Sequence, residues 1–314
     1  MFKKFVIIVF SLGLIMVILG FVLTKGDFTK IKAAFINDED YEFQTVAGDE
    51  KISQVNIEVH DNNIKFYKSV DETYKVEYYT SEEDQINTNI SNGKLEILGQ
   101  KNRWFNLFNW RIKSAKVSQI NIYLPNSYNG EITLDLTSGN TSIEDFQINT
   151  LNVYITSGSL NLKNVEVDTN INFEITSGKI YLTNVTCSNL NGEATSGSIT
   201  IKDSSVNNNT ELEITSGNIK VTDSNFNKFE ANATSGNITL SYVSGNQFIT
   251  DITSGDTYMK LLGTKDDYRT ILNINSGDIL YLGIRIKEIN VNPHASKYLK
   301  ATGTSGDIEI EFVD

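Results

Sequence analysis

The tripeptide Thr-Ser-Gly recurs through the second half of the chain at a nearly constant spacing, and this repeat constrains the fold more than any other feature. Its copies begin at Thr137, Thr156, Thr176, Thr195, Thr215, Thr234, Thr253 and Thr304, with a variant at Asn275-Ser276-Gly277. Successive glycines are 19, 20, 19, 20, 19, 19, 22 and 29 residues apart. A unit of this size cannot bury an apolar face alone, so neighbouring copies must stack.

Apolar and polar residues alternate on both sides of each glycine. In one copy Ile171, Phe173 and Ile175 form the alternating run before the turn, and after Gly178 the alternation resumes at Ile180. Period-two alternation indicates β-strands with one buried face. The parity of the buried positions changes at the glycine, which predicts a bend there with the preceding serine pointing inward. A second bend is predicted at Lys163-Asn164, Thr183-Asn184, Lys202-Asp203 and Thr222-Asp223.

Strands, corners and period together predict an all-β fold, a parallel β-solenoid (β-helix) of about 19–20 residues per coil. Residues 130–314 form its regular part. Residues 41–129 are rich in strand-forming runs but lack the tripeptide, so we expect an irregular N-terminal part of the same solenoid that caps the stack. Residues 27–40 are predicted to be a linker. The long last spacing contains Pro293-His294, where we expect the opposite cap.

The N-terminus carries a membrane signal. Lys3 and Lys4 precede an apolar run from Phe5 to Leu23, whose 19 residues would span roughly 28 Å as a helix. The run is longer than the core of a cleavable signal and no small-residue cleavage site follows it. Residues 1–26 are therefore predicted to be a cytoplasmic tip and transmembrane anchor, with the rest of the chain extracytoplasmic. A cleaved signal peptide is the alternative.

Composition excludes several classes of function. Lys and Arg number 27 against 39 Asp and Glu, a net charge of −12, which argues against binding to nucleic acid. The single cysteine, Cys187, excludes an intramolecular disulfide framework and a multi-cysteine zinc site. His60 and His294 lie in different regions with no spacing that implies a site. No catalytic motif is present, and no cofactor or metal is indicated.

The iterated apolar-x-apolar-Thr-Ser-Gly units, preceded by an anchor, irregular strands and the run Ile120-Asn-Ile-Tyr-Leu-Pro125, resemble a known family. It is the bacterial "putative adhesin" β-solenoid family, a cell-envelope domain of unknown function. The resemblance covers roughly residues 50–314. It implies a parallel β-solenoid at the bacterial surface and, for some relatives, a link to envelope-stress signalling. It supplies no catalytic or binding residues.

Residues 101–116, KNRWFNLFNWRIKSAK, contrast with the acidic remainder of the chain. The segment has five positive charges, no acid and both tryptophans. Tryptophan flanked by Lys and Arg suits contact with anionic lipid, and the same chemistry suits an anionic wall polymer. The alternative is a plug over the open end of the solenoid, and the two roles are compatible. The hypothetical binding residues are Arg103, Trp104, Phe105, Phe108, Trp110, Arg111 and Lys113.

A column of acids is the second candidate site. The outward position two residues before each repeat threonine holds Asp135, Tyr154, Glu174, Glu193, Glu213, Asn232, Asp251 and Asn273 in turn. If the coils stack in register, neighbouring carboxylates lie about 4.8 Å apart and repel by somewhat under 1 kcal/mol per pair in water. A cation or a basic partner would relieve this repulsion, and so would solvent. The hypothetical acidic column is Asp135, Glu174, Glu193, Glu213 and Asp251.

These features predict a single-pass protein of the bacterial cell membrane that displays a non-enzymatic binding or scaffold domain outside the cell. Its expected partners are the membrane and an anionic lipid, a wall polymer or another envelope protein. The alternative is a membrane-proximal envelope-stress sensor or regulator that docks on anionic lipid. A polysaccharide-active enzyme is less favoured, because coils of about 19 residues leave few long loops with which to build a cleft.

Overall fold

The computed structural model describes residues 40–101 and 114–313, and these are almost entirely β-structure. The N-terminal strands are β1 (Glu42–Gly48), β2 (Gln54–Asp61), β3 (Asn63–Lys68), β4 (Tyr74–Thr80), β5 (Asp84–Ser91), β6 (Lys94–Lys101) and β7 (Gln119–Leu124). The repeat strands are β8 (Glu131–Glu144), β9 (Gln147–Ile148), β10 (Thr150–Lys202), β11 (Ser205–Thr222), β12 (Asn225–Ser235), β13 (Ile238–Ser254) and β14 (Thr257–Leu262).

The C-terminal strands are β15 (Tyr268–Ser276), β16 (Ile279–Tyr281), β17 (Ile284–Ile286), β18 (Glu288–Val291), β19 (Lys297–Ser305) and β20 (Ile308–Val313). One 3-10 turn, Lys265–Asp267, precedes β15. The longest strand, β10, has 53 residues, so it bends at the corners and continues through more than two coils.

The repeats pair in parallel, one coil directly above the next. Leu151 lies beside Ile132, 19 residues earlier, and Thr210 lies beside Leu190, 20 residues earlier. Inward-facing apolar residues such as Ile132 and Leu151 have no solvent exposure, so stacking forms one continuous core along the rod. The predicted parallel β-solenoid is confirmed over the described residues.

The glycine of each Thr-Ser-Gly forms a corner with positive φ, as predicted. Gly178 has φ +154° and Gly217 has φ +135°, a region that L side chains rarely adopt. The corners also stack closely: a Cβ added to Gly217 would lie 1.8 Å from the carbonyl oxygen of Gly197. Conformation and contact therefore both require glycine at these corners.

The second bend is confirmed as well, and its geometry explains its composition. Asn164, Asn184, Asp203 and Asp223 all have φ between 50° and 53°. Asn and Asp tolerate this left-handed conformation better than other non-glycine residues. The Asn184 amide also donates to the Asn164 side chain at 2.9 Å, which links one coil to the next.

The predicted inward serine is wrong. Ser157, Ser177, Ser196 and Ser216 are exposed, as are the threonines before them. The turn begins at the threonine rather than at the glycine, so two consecutive side chains face solvent. In the first copy the Ser138 hydroxyl donates to the carbonyl of His60 in the adjacent coil at 3.1 Å.

At both ends of the rod the stacking order departs from the chain order. Strand β2 pairs in parallel with both β6 and β8, and β3 pairs in parallel with both β7 and β8. The first coil, β2–β3, therefore lies between the coil formed by β6 and β7 and the first repeat. The antiparallel strands β1, β4 and β5 flank the outer coil.

The C-terminal end repeats this arrangement. Strand β19 lies between β13 and β15, and β20 lies between β14 and β16, in parallel on both sides. The last coil of the chain is thus the second coil from the end of the stack. Strands β17 and β18 pair antiparallel with β16 and β15 of the outermost coil, in the long last spacing where a cap was expected.

Two predicted segments lie outside the described residues. These are the anchor with most of the linker, residues 1–39, and the central part of the aromatic-basic segment, residues 102–113. Within the described ranges no helix has the length and apolar character needed to span a bilayer.

Candidate functional site

A groove of about 530 Å³ runs along one face of the repeat region. Its walls are two parallel columns of exposed side chains, the acidic column and the repeat threonines. Its floor is the column of buried apolar residues between them, with Ile155, Ile175, Ala194, Ile214 and Ala233 as members. The groove exists because each coil contributes the same three consecutive positions, and parallel stacking aligns them along the rod.

The structure brings the predicted acidic column together on this groove. Tyr154 is in register with Asp135, Glu193 with Glu213, and Asn232 with both Glu213 and Asp251. Parallel strands are about 4.8 Å apart, so Glu193 and Glu213 are adjacent like charges. Each of the five predicted carboxylates lines the groove.

The C-terminal end of the column differs from the prediction. Asp251 is in register with Thr302, and Thr302 is in register with Asn273. The predicted neighbours Asp251 and Asn273 are thus separated by one coil, because the last coil of the chain is inserted between them. The acidic part of the column ends at Asp251.

Sequence reasoning missed two residues that continue the walls beyond the N-terminal end of the groove. Glu58 is exposed and in register with Asp135, so it continues the acidic column onto the first coil. His60 follows on the same strand, and its Nδ1 lies 3.3 Å from the Thr137 hydroxyl at the end of the threonine column. The first coil carries no Thr-Ser-Gly from which to number these positions. The alternation Val55, Ile57, Val59 is the only local signal that places Glu58 outward.

The threonine wall was also not recognised as part of a site. Thr156, Thr176, Thr195, Thr215 and Thr234 line the groove and are exposed. They lie two residues after the acidic column, so the same parity argument could have placed them on the same face. Their hydroxyls add hydrogen-bond donors and acceptors opposite the carboxylates.

A second cavity, of about 360 Å³, adjoins the acidic side of the groove. It is lined by Tyr154, Asn172, Phe173, Glu174, Asn191, Gly192, Glu193, Glu211 and Glu213. The amides of this surface form a ladder, in which Asn191 donates to Asn172 and Asn172 to Asn152, at 2.9 and 2.8 Å. The Phe173 ring occupies the space that a Cβ at Gly192 would need.

The described residues offer little for catalysis. They contain no group of three or more His, Cys, Asp or Glu side chains arranged to hold a metal ion. Cys187 is 2% exposed and packs in the core, as expected of a small packing residue. Burial raises the pKa of its thiol to about 12, so the thiolate needed of a nucleophile is not populated near neutral pH.

All seven hypothetical binding residues of the aromatic-basic segment, from Arg103 to Lys113, lie outside the described residues. The structure does place the points from which the segment leaves and returns. Strand β6 ends at Lys101, and β7 begins at Gln119; both belong to the outermost N-terminal coil. The segment is thus attached at the same end of the rod as β1, the strand that follows the N-terminal residues.

Two solved structures are among those to which this chain is similar. A "putative adhesin" from Bacteroides fragilis is 15% identical, covers 86% of this chain and 97% of its own, and has a TM-score of 0.46. A "putative adhesin" from Parabacteroides distasonis is 12% identical, with coverage of 87% and 98% and a TM-score of 0.47. No curated protein is significantly similar to this chain.

The family match covers most of the chain. Residues 52–311 match the family described as Toastrack DUF4097, a span from just before β2 into β20 that contains every coil of the stack. The parallel solenoid and the repeated corners lie entirely within it. The chain therefore belongs to the Toastrack DUF4097 family.

Proposed function

We propose that this protein is a non-enzymatic binding or scaffold domain of the bacterial cell surface, which holds an extended ligand along the acidic groove. The observation that carries the proposal is the continuity of the groove from Asp135 to Asp251. At about 4.8 Å per coil this distance is roughly 29 Å, which suits a chain-like ligand better than a compact small molecule.

The chemistry of the two walls favours a ligand that carries positive charges along its length. Glu174, Glu193 and Glu213 occupy three successive coils and repel one another unless a counter-charge lies between them. A basic peptide segment of another envelope protein offers such charges at a similar spacing. The threonine hydroxyls on the opposite wall would accept or donate hydrogen bonds to its backbone.

The rigidity of the solenoid supports binding rather than catalysis. The acidic and floor positions of the groove are paired in parallel ladders, as are the serines after the threonine wall. The side-chain columns are therefore arranged before a ligand arrives, which lowers the entropic cost of binding. Display outside the cell by the N-terminal anchor is part of the proposal. It rests on the apolar run from Phe5 to Leu23.

Titration with an oligolysine peptide tests the groove. We expect salt-sensitive binding by the native chain and a roughly 5- to 30-fold loss for Glu193→Gln/Glu213→Gln, since two partly exposed charge pairs contribute about 1–2 kcal/mol. The matched control, Glu144→Gln/Glu166→Gln, makes the same charge change outside the groove lining and should bind like the native chain. Equal losses in both variants would mean that only net charge matters and would contradict the proposal.

Docking on anionic lipid through the aromatic-basic segment is the second candidate function. The observation that favours it is the attachment of this segment at the N-terminal end of the rod, where an anchored chain would meet the membrane. Co-sedimentation with anionic liposomes tests it, with Trp104→Ala/Trp110→Ala as the variant. Salt-sensitive pelleting by the native chain that the variant loses would support it. Absence of pelleting by both proteins would assign the segment to the end of the solenoid.

A further inference from the structure

The last coil of the chain, residues 297–313, fills a slot whose two walls come from earlier parts of the chain. One wall is β13 and β14, and the other is β15 and β16. Both walls are therefore complete in sequence before residue 282, and the C-terminal coil must enter between them. No interior repeat has this property, since each interior coil is followed along the chain by the coil stacked on it.

The C-terminal coil fits the slot as a full member of the stack. Leu299, Ala301, Ile308 and Ile310 have no solvent exposure and extend the core without interruption. Hydrogen bonds also cross the slot on both sides. The Asp307 amide donates to the Asp256 side chain, and the Asp278 amide donates to the Asp307 side chain, both at 2.9 Å.

One short connection joins this coil to the strands that precede it. It runs from Asn292 to Ser296, includes Pro293 and contains no regular strand. Asn292 has φ +53°, and its amide is held by the backbone carbonyls of Lys265 and Tyr268. Copies of a chain can exchange an identical element, and a short hinge loop before that element favours the exchange.

We infer that this slot is an exchange site, in which the C-terminal coil of a second copy can take the place of the chain's own coil. A second copy is the occupant that fits, because it carries the same buried side chains, the same corner glycine and the same hinge. The exchanged dimer therefore keeps every contact of the slot and changes only the path of the hinge.

Exchange would join two rods at the end opposite to β1. Two grooves would then belong to one dimer, and a ligand long enough to reach both would gain avidity without any new contact. The inference itself is independent of the groove's ligand, because it rests only on the pairing of the last coil.

Disulfide trapping between two differently tagged full chains in mild detergent tests the exchange. Asp251 and Thr302 are register partners across the slot, at a spacing that a disulfide can bridge. One chain carries Asp251→Cys and the other Thr302→Cys, both in a Cys187→Ala background. The chains are mixed at high concentration, held just below the unfolding midpoint, cooled and oxidised.

The matched control mixes Glu193→Cys with Glu213→Cys, register partners on the same face of the interior stack. We expect a concentration-dependent covalent dimer of the 251 and 302 chains, several-fold above this control. The double variant Asp251→Cys/Thr302→Cys should oxidise within one chain, which shows that both positions fold correctly, and should then stay monomeric in the same procedure. Dimer yields equal to the control, with the double variant correctly oxidised, would overturn the inference.

Discussion

The interior of the rod and its two ends are built from similar strands but are assembled differently. Between β8 and β14 each coil stacks on the one that precedes it in the chain. At each end the terminal coil is inserted second, beneath a coil from further inside the sequence. In the interior, the local repeat is therefore enough to determine which coils are neighbours. At the ends, the neighbours depend on contacts between distant parts of the chain.

The ends of the rod, unlike the interior, have a coil with one unpaired edge. An outermost coil leaves unpaired backbone groups and an open apolar core, which invite aggregation. Antiparallel strands address this at both ends, β1, β4 and β5 at one and β17 and β18 at the other. Insertion of the terminal coil adds a second effect, because a coil paired on both edges is held by two ladders, whereas an outermost coil is held by one.

The two terminal coils differ in one respect. The N-terminal coil, β2–β3, is continuous with β1 before it and β4 after it, so the chain holds it at both ends. The C-terminal coil, β19–β20, instead follows the short segment 292–296, which contains no regular strand. Exchange between copies is accordingly expected at the C-terminal end.

The largest effect should come from glycine corners of the interior. Gly217→Ala would place a Cβ 1.8 Å from the Gly197 carbonyl at φ +135°, so we expect a loss of about 4 kcal/mol or more in the free energy of unfolding. Gly283→Ala, in the end cap, has φ +75° but open space around its Cβ and should cost about 1–2 kcal/mol. Urea denaturation compares the two variants. Equal losses would refute the claim that close stacking distinguishes the interior corners.

Truncation of the inserted coil should have the next largest effect. Leu299 has no exposure, and Leu299→Ala should cost about 3 kcal/mol, as in any well-packed core. Leu282, which is 40% exposed at the end of the rod, serves as the control, and its alanine variant should cost less than about 1 kcal/mol. Thermal unfolding measures both. A small loss for Leu299→Ala would mean that the last coil is not part of the cooperative stack.

Side-chain ladders at the corners should contribute less. The side-chain oxygen Oδ1 of Asn237 accepts from the backbone N–H of Asp256 at 2.9 Å, so Asn237→Ala should cost about 1 kcal/mol. Lys179 occupies the same position after Gly178 but carries no acceptor atom, and Lys179→Ala should change stability by no more than about 0.5 kcal/mol. Chemical denaturation is again suitable. If Asn237→Ala left the free energy of unfolding unchanged, water would replace the ladder hydrogen bond without loss of stability.

The smallest effect should be a stabilisation. The ladder that uses Asn218 and Asn237 in the interior continues as Asp256, Asp307 and Asp278 across the inserted coil. Asp307→Asn keeps the acceptor and removes a charge between two like charges, so it should stabilise by somewhat under 1 kcal/mol at low salt. The gain should vanish in high salt. A gain that salt leaves unchanged would assign the effect to something other than repulsion.

Local patterns predicted the interior well, for physical reasons. Alternation around Gly178 predicts the buried face because a strand has a period of two, and Asn164 marks a corner because few other residues accept its φ. The exposed Ser177 was missed because alternation alone cannot locate where a turn begins. The threonine wall was missed although its parity was readable, whereas the neighbour of Asp251 and the omission of Glu58 are errors at the two ends. At the ends, the pairing partner of a strand depends on which coil is inserted into the stack. Local alternation of apolar and polar residues does not predict that insertion.

Binding of a basic, chain-like ligand along the groove is the central proposal for this protein. An NMR titration of the chain with an oligolysine peptide tests that binding residue by residue. We expect the amide shift changes to concentrate at groove positions such as Glu193, Thr195 and Glu213 and to extend along successive coils. Shift changes of equal size at Glu144 and Glu166, which lie outside the groove lining, or none at all, would contradict binding along the groove.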